Sequence, residues 1–229
     1  MTKKRKAAIA ASKMIKDGMV LGLGTGSTAA YLVDEVGKLV AGGLNLKAVC
    51  TSKATDKQAR SLNIPIIDIN EVDIIDLAID GVDEIDEDFN AIKGGGGALF
   101  REKVVASLAS RVFWIMDDSK LVNKIGAFPL PVEIVAYGYP HVVKRLKDFN
   151  PVLRKQGGKP FITDNGNLIL DLHLNPGFNI NKVEVVLKNT LGVVETGLFL
   201  NFCNWIFVGT DEGVKEIINK SKRIKDDFN

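Results

Sequence analysis

Histidine and cysteine are nearly absent, with two of each among 229 residues. Cys50 and Cys203 stand far apart and outside any CxxC or Cys/His ligand spacing, which argues against both a disulfide framework and a zinc site. Both read as small buried hydrophobes. His141 and His173 are too few to build a nucleophile triad, no GxSxG elbow occurs, and His173, between Leu172 and Leu174, reads as a structural histidine in a strand. A run of about 18 apolar residues is also missing. The chain opens instead on Lys3, Lys4, Arg5 and Lys6 followed by an Ala-rich helix without a signal-type apolar segment, which predicts a cytoplasmic chain with no membrane partner. Charge of one sign is lacking too. Thirty Lys and Arg stand against 28 Asp and Glu, a net of +2, so nucleic acid is not expected as a partner and the basic start reads as a solvated helix end. What is present, 46% hydrophobic and 25% charged residues, is a globular composition sized for one large domain or one domain plus a smaller second.

The first half alternates short apolar runs with helical periodicity. Met19 to Leu23 reads as a buried strand, and Ala29, Leu32, Val33, Val36 and Val40 recur on one helical face. Further strands are expected at 46–50, 77–79 and 112–116, with a helix near Thr55 to Ser61 between the first two. This alternation implies a mainly parallel sheet with helices on both faces, whose ligands sit beyond the carboxyl ends of the strands. After Pro129 and Pro131 the texture changes. A strand at 132–135, a helix at 142–149, a strand at 152–154, a hairpin turning at Asp164-Asn165-Gly166, a helix at 183–190 and a strand at 193–195 spell a βαββαβ, ferredoxin-like α+β unit. Trp205 to Gly209 returns to a buried strand, and Val214, Ile217 and Ile218 read as a closing helix. The expected organisation is a discontinuous α/β domain, 1–127 and 202–229, carrying a small domain, 128–201, as a lid or oligomerisation arm.

Three loops carry candidate chemistry. Gly22-Leu23-Gly24-Thr25-Gly26-Ser27-Thr28 joins a strand to a helix, so backbone amides, close approach at glycine and several hydroxyls together suit a phosphate. A dinucleotide fingerprint would need glycine in place of Ser27 and an acid after the second strand, where Cys50-Thr51-Ser52 stands instead; no GxxxxGK[ST] is present. The plain alternative is a tight turn with no ligand. Asp80-Gly81-Val82-Asp83-Glu84-Ile85-Asp86 follows an apolar strand, and its two leading carboxylates can grip sugar hydroxyls or move protons among them. The competing readings are a solvated acidic loop or a cation site, although the EF-hand pattern is not met and no histidine is near. The third loop, Lys93 through Lys103, holds four consecutive glycines, each costing about 1 kcal/mol relative to alanine in regular structure. Close approach of backbone to a ligand explains them better than a linker does. Glu102, just beyond, is either a surface acid at a helix start or part of that site.

A phosphate cradle, a carboxylate pair and a lysine with a downstream glutamate suit a sugar phosphate, and here the chain resembles the type A ribose-5-phosphate isomerases. The resemblance rests on 22–29, on Thr51-Ser52 with Thr55, on Asp80 to Glu84, on Lys93 to Lys103 and on Asp118-Ser119-Lys120. Pro131-Val132-Glu133, Asp164 to Asn167 and Gly192 to Phe199 extend it over nearly the whole chain. It implies interconversion of ribose 5-phosphate and ribulose 5-phosphate through an enediolate, with no cofactor or metal and a homodimer or higher oligomer. It implies that Glu102 is the general base and that Asp80, Asp83 and Lys93 complete the catalytic centre. Substrate contact falls by the same resemblance on Thr25, Gly26, Ser27 and Thr28, on Gly81 and Val82, on the Gly94-Gly95-Gly96 backbone, and on Lys120. Lys4 is the choice among the first lysines for a phosphate contact. Val82 stands where the family often has alanine, and Phe100 where leucine is common.

The chemistry is consistent with that assignment. One carboxylate can take the proton from C2 and return it to C1, and a partly closed site would raise its pKa above the reference of about 4.3. Lys93 and the glycine-run amides would carry the negative oxygen. Rival readings are another sugar-phosphate isomerase, which would want a histidine near these loops, a non-catalytic sugar-phosphate sensor, for whose DNA-binding helices the expected first strand leaves little room, and a dehydrogenase, weakened by the missing acid.

Overall fold

The computed structural model describes residues 1–222. In chain order it runs α1 (Lys3–Ser12), β1 (Val20–Leu23), α2 (Ser27–Ala41), β2 (Lys47–Cys50), α3 (Lys53–Ser61), β3 (Leu77–Gly81), β4 (Glu84–Ile85), β5 (Ala91–Ile92), α4 (Leu99–Leu108) and β6 (Val112–Asp117). It continues with β7 (Leu130–Ile134), α5 (Tyr139–Arg145), β8 (Pro151–Leu153), β9 (Lys155–Gln156), β10 (Lys159–Pro160), β11 (Leu168–Leu172), α6 (Ile180–Lys188), β12 (Val193–Thr196), β13 (Leu198–Phe199), β14 (Trp205–Gly209) and β15 (Val214–Ile218).

Two compact units share these elements. The first takes Met1–Val82, Arg101–Lys120 and 201–222. Its six-stranded sheet has the order β15-β14-β6-β3-β1-β2, parallel except for the β14–β15 pair. Because the chain leaves β1 for β2 on one side and returns to β3 on the other, β1 and β3 flank the switch point, where the carboxyl ends of parallel strands open a crevice. Leu21, Leu23, Leu32, Val36, Leu77, Ile79, Phe113 and Phe207 form the core on which α1 and α2 pack, as the buried apolar runs and the helical stripe require.

The second unit takes Asp83–Phe100 and Leu121–Leu200. Its four-stranded sheet has the order β12-β7-β11-β8, every neighbouring pair antiparallel, which with α5 and α6 makes the expected βαββαβ arrangement. Leu130, Val132, Ile134, Leu168, Leu170 and Leu172 alternate onto the face covered by Val142, Leu146, Val183 and Leu187. On β7, Glu133 is fully buried, and its Oε1 accepts from Thr163 Oγ1 (3.0 Å), Asn165 Nδ2 (3.1 Å) and Asn167 Nδ2 (2.9 Å), pinning the turn that precedes β11.

Several expectations are corrected. Val214–Ile218 is not a closing helix but strand β15, paired from Trp205–Ile218 to Gly209–Val214; its three β-branched residues extend, and Thr210 N–H to Gly213 O (2.8 Å) closes the hairpin. The chain passes between the two compact units after Val82, Phe100, Lys120 and Leu200, and the three-stranded sheet of β4, β5 and β13 lies in the second. The hairpin turn proper lies between β9 and β10 at Gly157 and Gly158, while 163–167 is a separate turn. The basic start is docked: Lys3 pairs with Asp118 and Asp211, each at 2.9 Å, and Lys6 Nζ donates to the carbonyls of Thr210 (2.9 Å) and Asp211 (2.8 Å). The helix can lie this close because Gly209 has no Cβ to strike the Lys3 backbone. His141 and His173 are both exposed.

Candidate active site

At the switch point of the first unit, Asp80 is the organising side chain. It ends β3, is 4% exposed, and its Oδ1 accepts from the amides of Thr25 (2.9 Å) and Gly81 (2.6 Å). The loop after β1 lies so close that any Cβ on Gly24 would fall on this carboxylate. Thr25 turns its hydroxyl inward, to Thr51 Oγ1 (2.7 Å) and Ser52 Oγ (2.8 Å), while Thr55 Oγ1 donates to Gly24 O (2.9 Å). The hydroxyls of 51, 52 and 55 thus fix the loop after β1, which Thr25 joins through both its amide and its side chain. Gly26 and Ser27 are exposed at the start of α2, and Thr28 is buried behind them. Gly26 has no side chain to cap that helix, whose first turn carries no acid, so its leading amides form an electropositive end.

Cations gather at the same corner. Lys4 Nζ donates to Ser27 Oγ at 2.9 Å. Burial pushes the Asp117 carboxyl up, but the Ser119 hydroxyl and amide, with Lys4 and Lys120 nearby, outweigh it and hold Asp117 below the usual carboxylate range. Lys4 and Lys120 therefore share the field at the carboxyl end of β6.

Glu102 belongs to this unit as well. The carbonyl of Leu108, at the end of α4, accepts from Ile75 N–H (3.0 Å) just before β3, so α4 runs antiparallel to the sheet. Val105 packs over Gly22, where a Cβ would strike Val105 Cγ1 and lie 3.0 Å from Ala78 Cβ. From that level α4 rises about 4.5 Å to Glu102 and β3 about 6.6 Å from Ala78 to Asp80. The two carboxylates reach similar height at the carboxyl ends of the strands, and Glu102 is 4% exposed, so it is no surface acid.

The second unit holds the rest. Asp83 Oδ2 accepts from the Gly95 amide at 2.8 Å, and a Cβ on Gly95 would stand 2.6 Å from Asp83 Oδ1. Gly94 and Gly97 take φ of 101° and 81°, and a side chain on Gly97 would enter the Phe161 ring. Close approach and positive φ, not flexibility, account for the glycine run. Gly95 and Gly96 are exposed. Lys93, only 2% exposed, follows β5; its amide donates to Gly197 O (2.9 Å), and its Nζ lies 5.3 Å from the centre of the Phe199 ring. The remaining acids of the 80–86 loop are structural: Glu84 accepts from the amides of Gly126 (2.8 Å) and Phe128 (2.7 Å), and Asp86 closes its own turn on Asp88 and Asn90. Val82 is buried in the first unit, where β3 ends.

The structure thus sets Thr25 to Thr28, Asp80, Gly81, Glu102, Lys120 and Lys4 on the first unit, and Asp83, Lys93 and Gly94 to Gly96 on the second. Phe199 and Arg154, which reaches the carbonyls of Gly94 and Gly95, were given no role in the sequence reading because their partners lie 59 to 106 residues away in the chain. Burial pushes both thiols, Cys50 and Cys203, up to about 12, so neither is a nucleophile at neutral pH. Among the described residues, no group of three or more His, Cys, Asp or Glu side chains is placed to hold a metal ion.

A mainly parallel α/β sheet whose switch point presents helix-start amides, lysines and buried carboxylates has the chemistry of an enzyme acting on a phosphate ester by proton transfer. Comparison narrows the class. The family model for ribose 5-phosphate isomerase A (phosphoriboisomerase A) matches residues 47–213. Ribose-5-phosphate isomerase A of Limosilactobacillus reuteri is 54% identical over 207 residues, 89% of this chain and 91% of that protein. The Bacillus mycoides enzyme is 47% identical over 94% of this chain and 99% of its own. The solved ribose 5-phosphate isomerase A of Methanocaldococcus jannaschii superposes with a TM-score of 0.89 at 38% identity, covering 95% of this chain and 98% of that one. A D-ribose-5-phosphate isomerase in complex with phospho-erythronic acid superposes at 0.90 with 36% identity and the same coverage. The chain belongs to the ribose-5-phosphate isomerase A family and is an aldose-ketose isomerase.

Gly24→Ala forces a methyl group onto the Asp80 carboxylate. We expect far-UV circular dichroism close to that of the wild type and a loss of about 100-fold in kcat/KM, since displacement of about 1 Å at a reacting centre costs that much. Retention of full activity would show that the Asp80 position does not matter.

Proposed function

We propose that ribose 5-phosphate is held by its phosphate on the α2 amides of Gly26, Ser27 and Thr28 with Lys4 and Lys120, and that Glu102 moves a proton between C2 and C1. The observation that carries this reading is a carboxylate 4% exposed, at the level of Asp80, in the same unit as a helix start that no side chain caps. Asp80 and Asp83 open the furanose and pass the proton between O1 and O2. As Glu102 removes the C2 proton, the electron pair forms the C1–C2 double bond and O1 becomes negative. Lys93 and the Gly96 amide stabilise that oxygen, while the Gly95 amide holds Asp83. Glu102 then protonates C1, while O1 gains and O2 loses a proton, leaving the ketone at C2. No electrons leave the sugar, so the reaction needs no redox cofactor. Gly81 and Val82, next to Asp80 in the chain, contribute substrate contacts. Phospho-erythronic acid, with which a solved relative is in complex, carries a carboxylate where an enediolate would carry its oxygens, which supports the reading.

We further propose a homodimer in the cytoplasm, where the phosphate ester, being charged, is retained. The second unit exposes Tyr137 (95%) and Leu191 (80%) near the Val135–Gly192 hydrogen bond, an apolar patch that a second copy would cover. Light scattering of the purified chain and recovery of activity in a high-speed supernatant check the two points; a monomer or a membrane-bound activity would contradict them.

Glu102→Gln, assayed with ribose 5-phosphate in the presence of a chelator, tests the base. We expect kcat to fall about 1,000-fold, within the range for loss of an acid–base group, with inhibition by inorganic phosphate changed less than about twofold and wild-type activity insensitive to the chelator. Near wild-type kcat in the variant would refute the role.

A further inference from the structure

Arg154 takes no part in the steps above, yet the second unit holds it on two sides. It follows β8, and its amide donates to Ile169 O on β11 at 2.9 Å. Its guanidinium grips Asp171 of β11 in a bidentate pair, Nε to Oδ2 at 2.9 Å and Nη2 to Oδ1, with the side chains only 15% and 19% exposed. The remaining nitrogen, Nη1, donates to two successive carbonyls of the glycine run, Gly94 O at 2.8 Å and Gly95 O at 3.1 Å.

The direction of those carbonyls decides the direction of the amides that follow them. In a planar trans peptide, C=O and N–H point opposite ways. Drawing Gly94 O onto Arg154 therefore turns the Gly95 N–H away from the guanidinium, and that amide donates to Asp83 Oδ2 at 2.8 Å. Drawing Gly95 O onto the same nitrogen turns the Gly96 N–H away as well. A cationic donor on each carbonyl also polarises the peptide, which strengthens its N–H as a donor. Glycine backbone has no side chain to hold such an arrangement, and free glycine samples both signs of φ. Lysine could not replace the fork, because an ammonium cannot both hold a carboxylate bidentately and bridge two carbonyls in one plane.

We propose that Arg154, locked by Asp171, is a positioning residue for the isomerisation: it aims and polarises the Gly96 amide that stabilises the enediolate oxygen and, through the Gly95 N–H, keeps Asp83 seated. The inference rests on the assignment of the glycine run given above. It assigns Arg154 to the reaction step and not to phosphate capture, so its loss acts on kcat and on ligands that resemble the intermediate.

The test compares Arg154→Ala, Arg154→Lys and Asp171→Asn with the wild type, measuring kcat and KM for ribose 5-phosphate, the inhibition constants of inorganic phosphate and of erythronate 4-phosphate, and thermal stability. For Arg154→Ala we expect kcat to fall and the erythronate 4-phosphate constant to rise, each by about 100-fold, the scale of a lost oxyanion donor, with the phosphate constant within about twofold. Arg154→Lys and Asp171→Asn should fall between this variant and the wild type. The proposal is overturned if folded variants keep kcat within about threefold, or if both inhibition constants shift together. Should Arg154→Ala fail to fold, the lysine and Asp171→Asn variants decide by the same criteria. Absence of isomerase turnover in the wild type, or full turnover in Glu102→Gln, would instead sink the assignment on which the inference stands.

Discussion

The rest of the structure depends on one buried carboxylate accepting from two backbone amides. Asp80 ends β3 and holds the Thr25 and Gly81 N–H groups, so the loop leaving β1 is drawn across the end of the neighbouring strand. That contact excludes any side chain at Gly24, fixes where α2 starts, and brings Ser27 to Lys4. A charged group in such a place is tolerated only when its oxygens are hydrogen-bonded. Once they are, the position of the acid and the shape of the loop after β1 are set by the same bonds.

The second unit applies the same logic to backbone amides. Four glycines in a row cost conformational entropy on folding and bring no side-chain contact of their own. Here the cost is offset by bonds to fixed charged groups, Asp83 on one side of the Gly94–Gly95 peptide and Arg154 on the other. Lys93 adds a buried cation next to the Phe199 ring. Donors oriented before substrate arrives need no reorganisation when charge develops, which is the main source of stabilisation for an oxyanion. The acids of the 80–86 loop divide accordingly: Glu84 and Asp86 are consumed by amides within their own unit's turns, whereas Asp80 and Asp83 hold amides of the two glycine loops.

Much of this was legible in the residues. Strands such as Leu77 to Ile79 and the stripe from Ala29 to Val40 declare themselves by periodicity, and the glycine turn and glycine run by composition, because those signals are local. The ferredoxin-like order of the second unit followed from the succession of its elements. What could not be read depends on distant partners. Val214, Ile217 and Ile218 show helical spacing, but pairing with β14 makes them a strand. Strands as short as β4 and β5 escape a reading by periodicity, because β13, more than 100 residues later, completes their sheet. Lys3 and Lys6 look solvated until Asp118, Asp211 and the Thr210 carbonyl appear beside them. Arg154 carries no motif of its own, and its meaning comes from carbonyls 59 and 60 residues earlier in the chain.

A single carboxylate on one side of the substrate can deliver hydrogen to only one face of the intermediate. The most direct measurement is the fate of deuterium placed at C2 of ribose 5-phosphate, followed by proton NMR of the ribulose 5-phosphate formed. The account predicts that the hydrogen entering C1, whether the original deuterium or one exchanged from solvent, occupies one of the two prochiral positions exclusively, with part of the label retained. Equal labelling of both positions would contradict it.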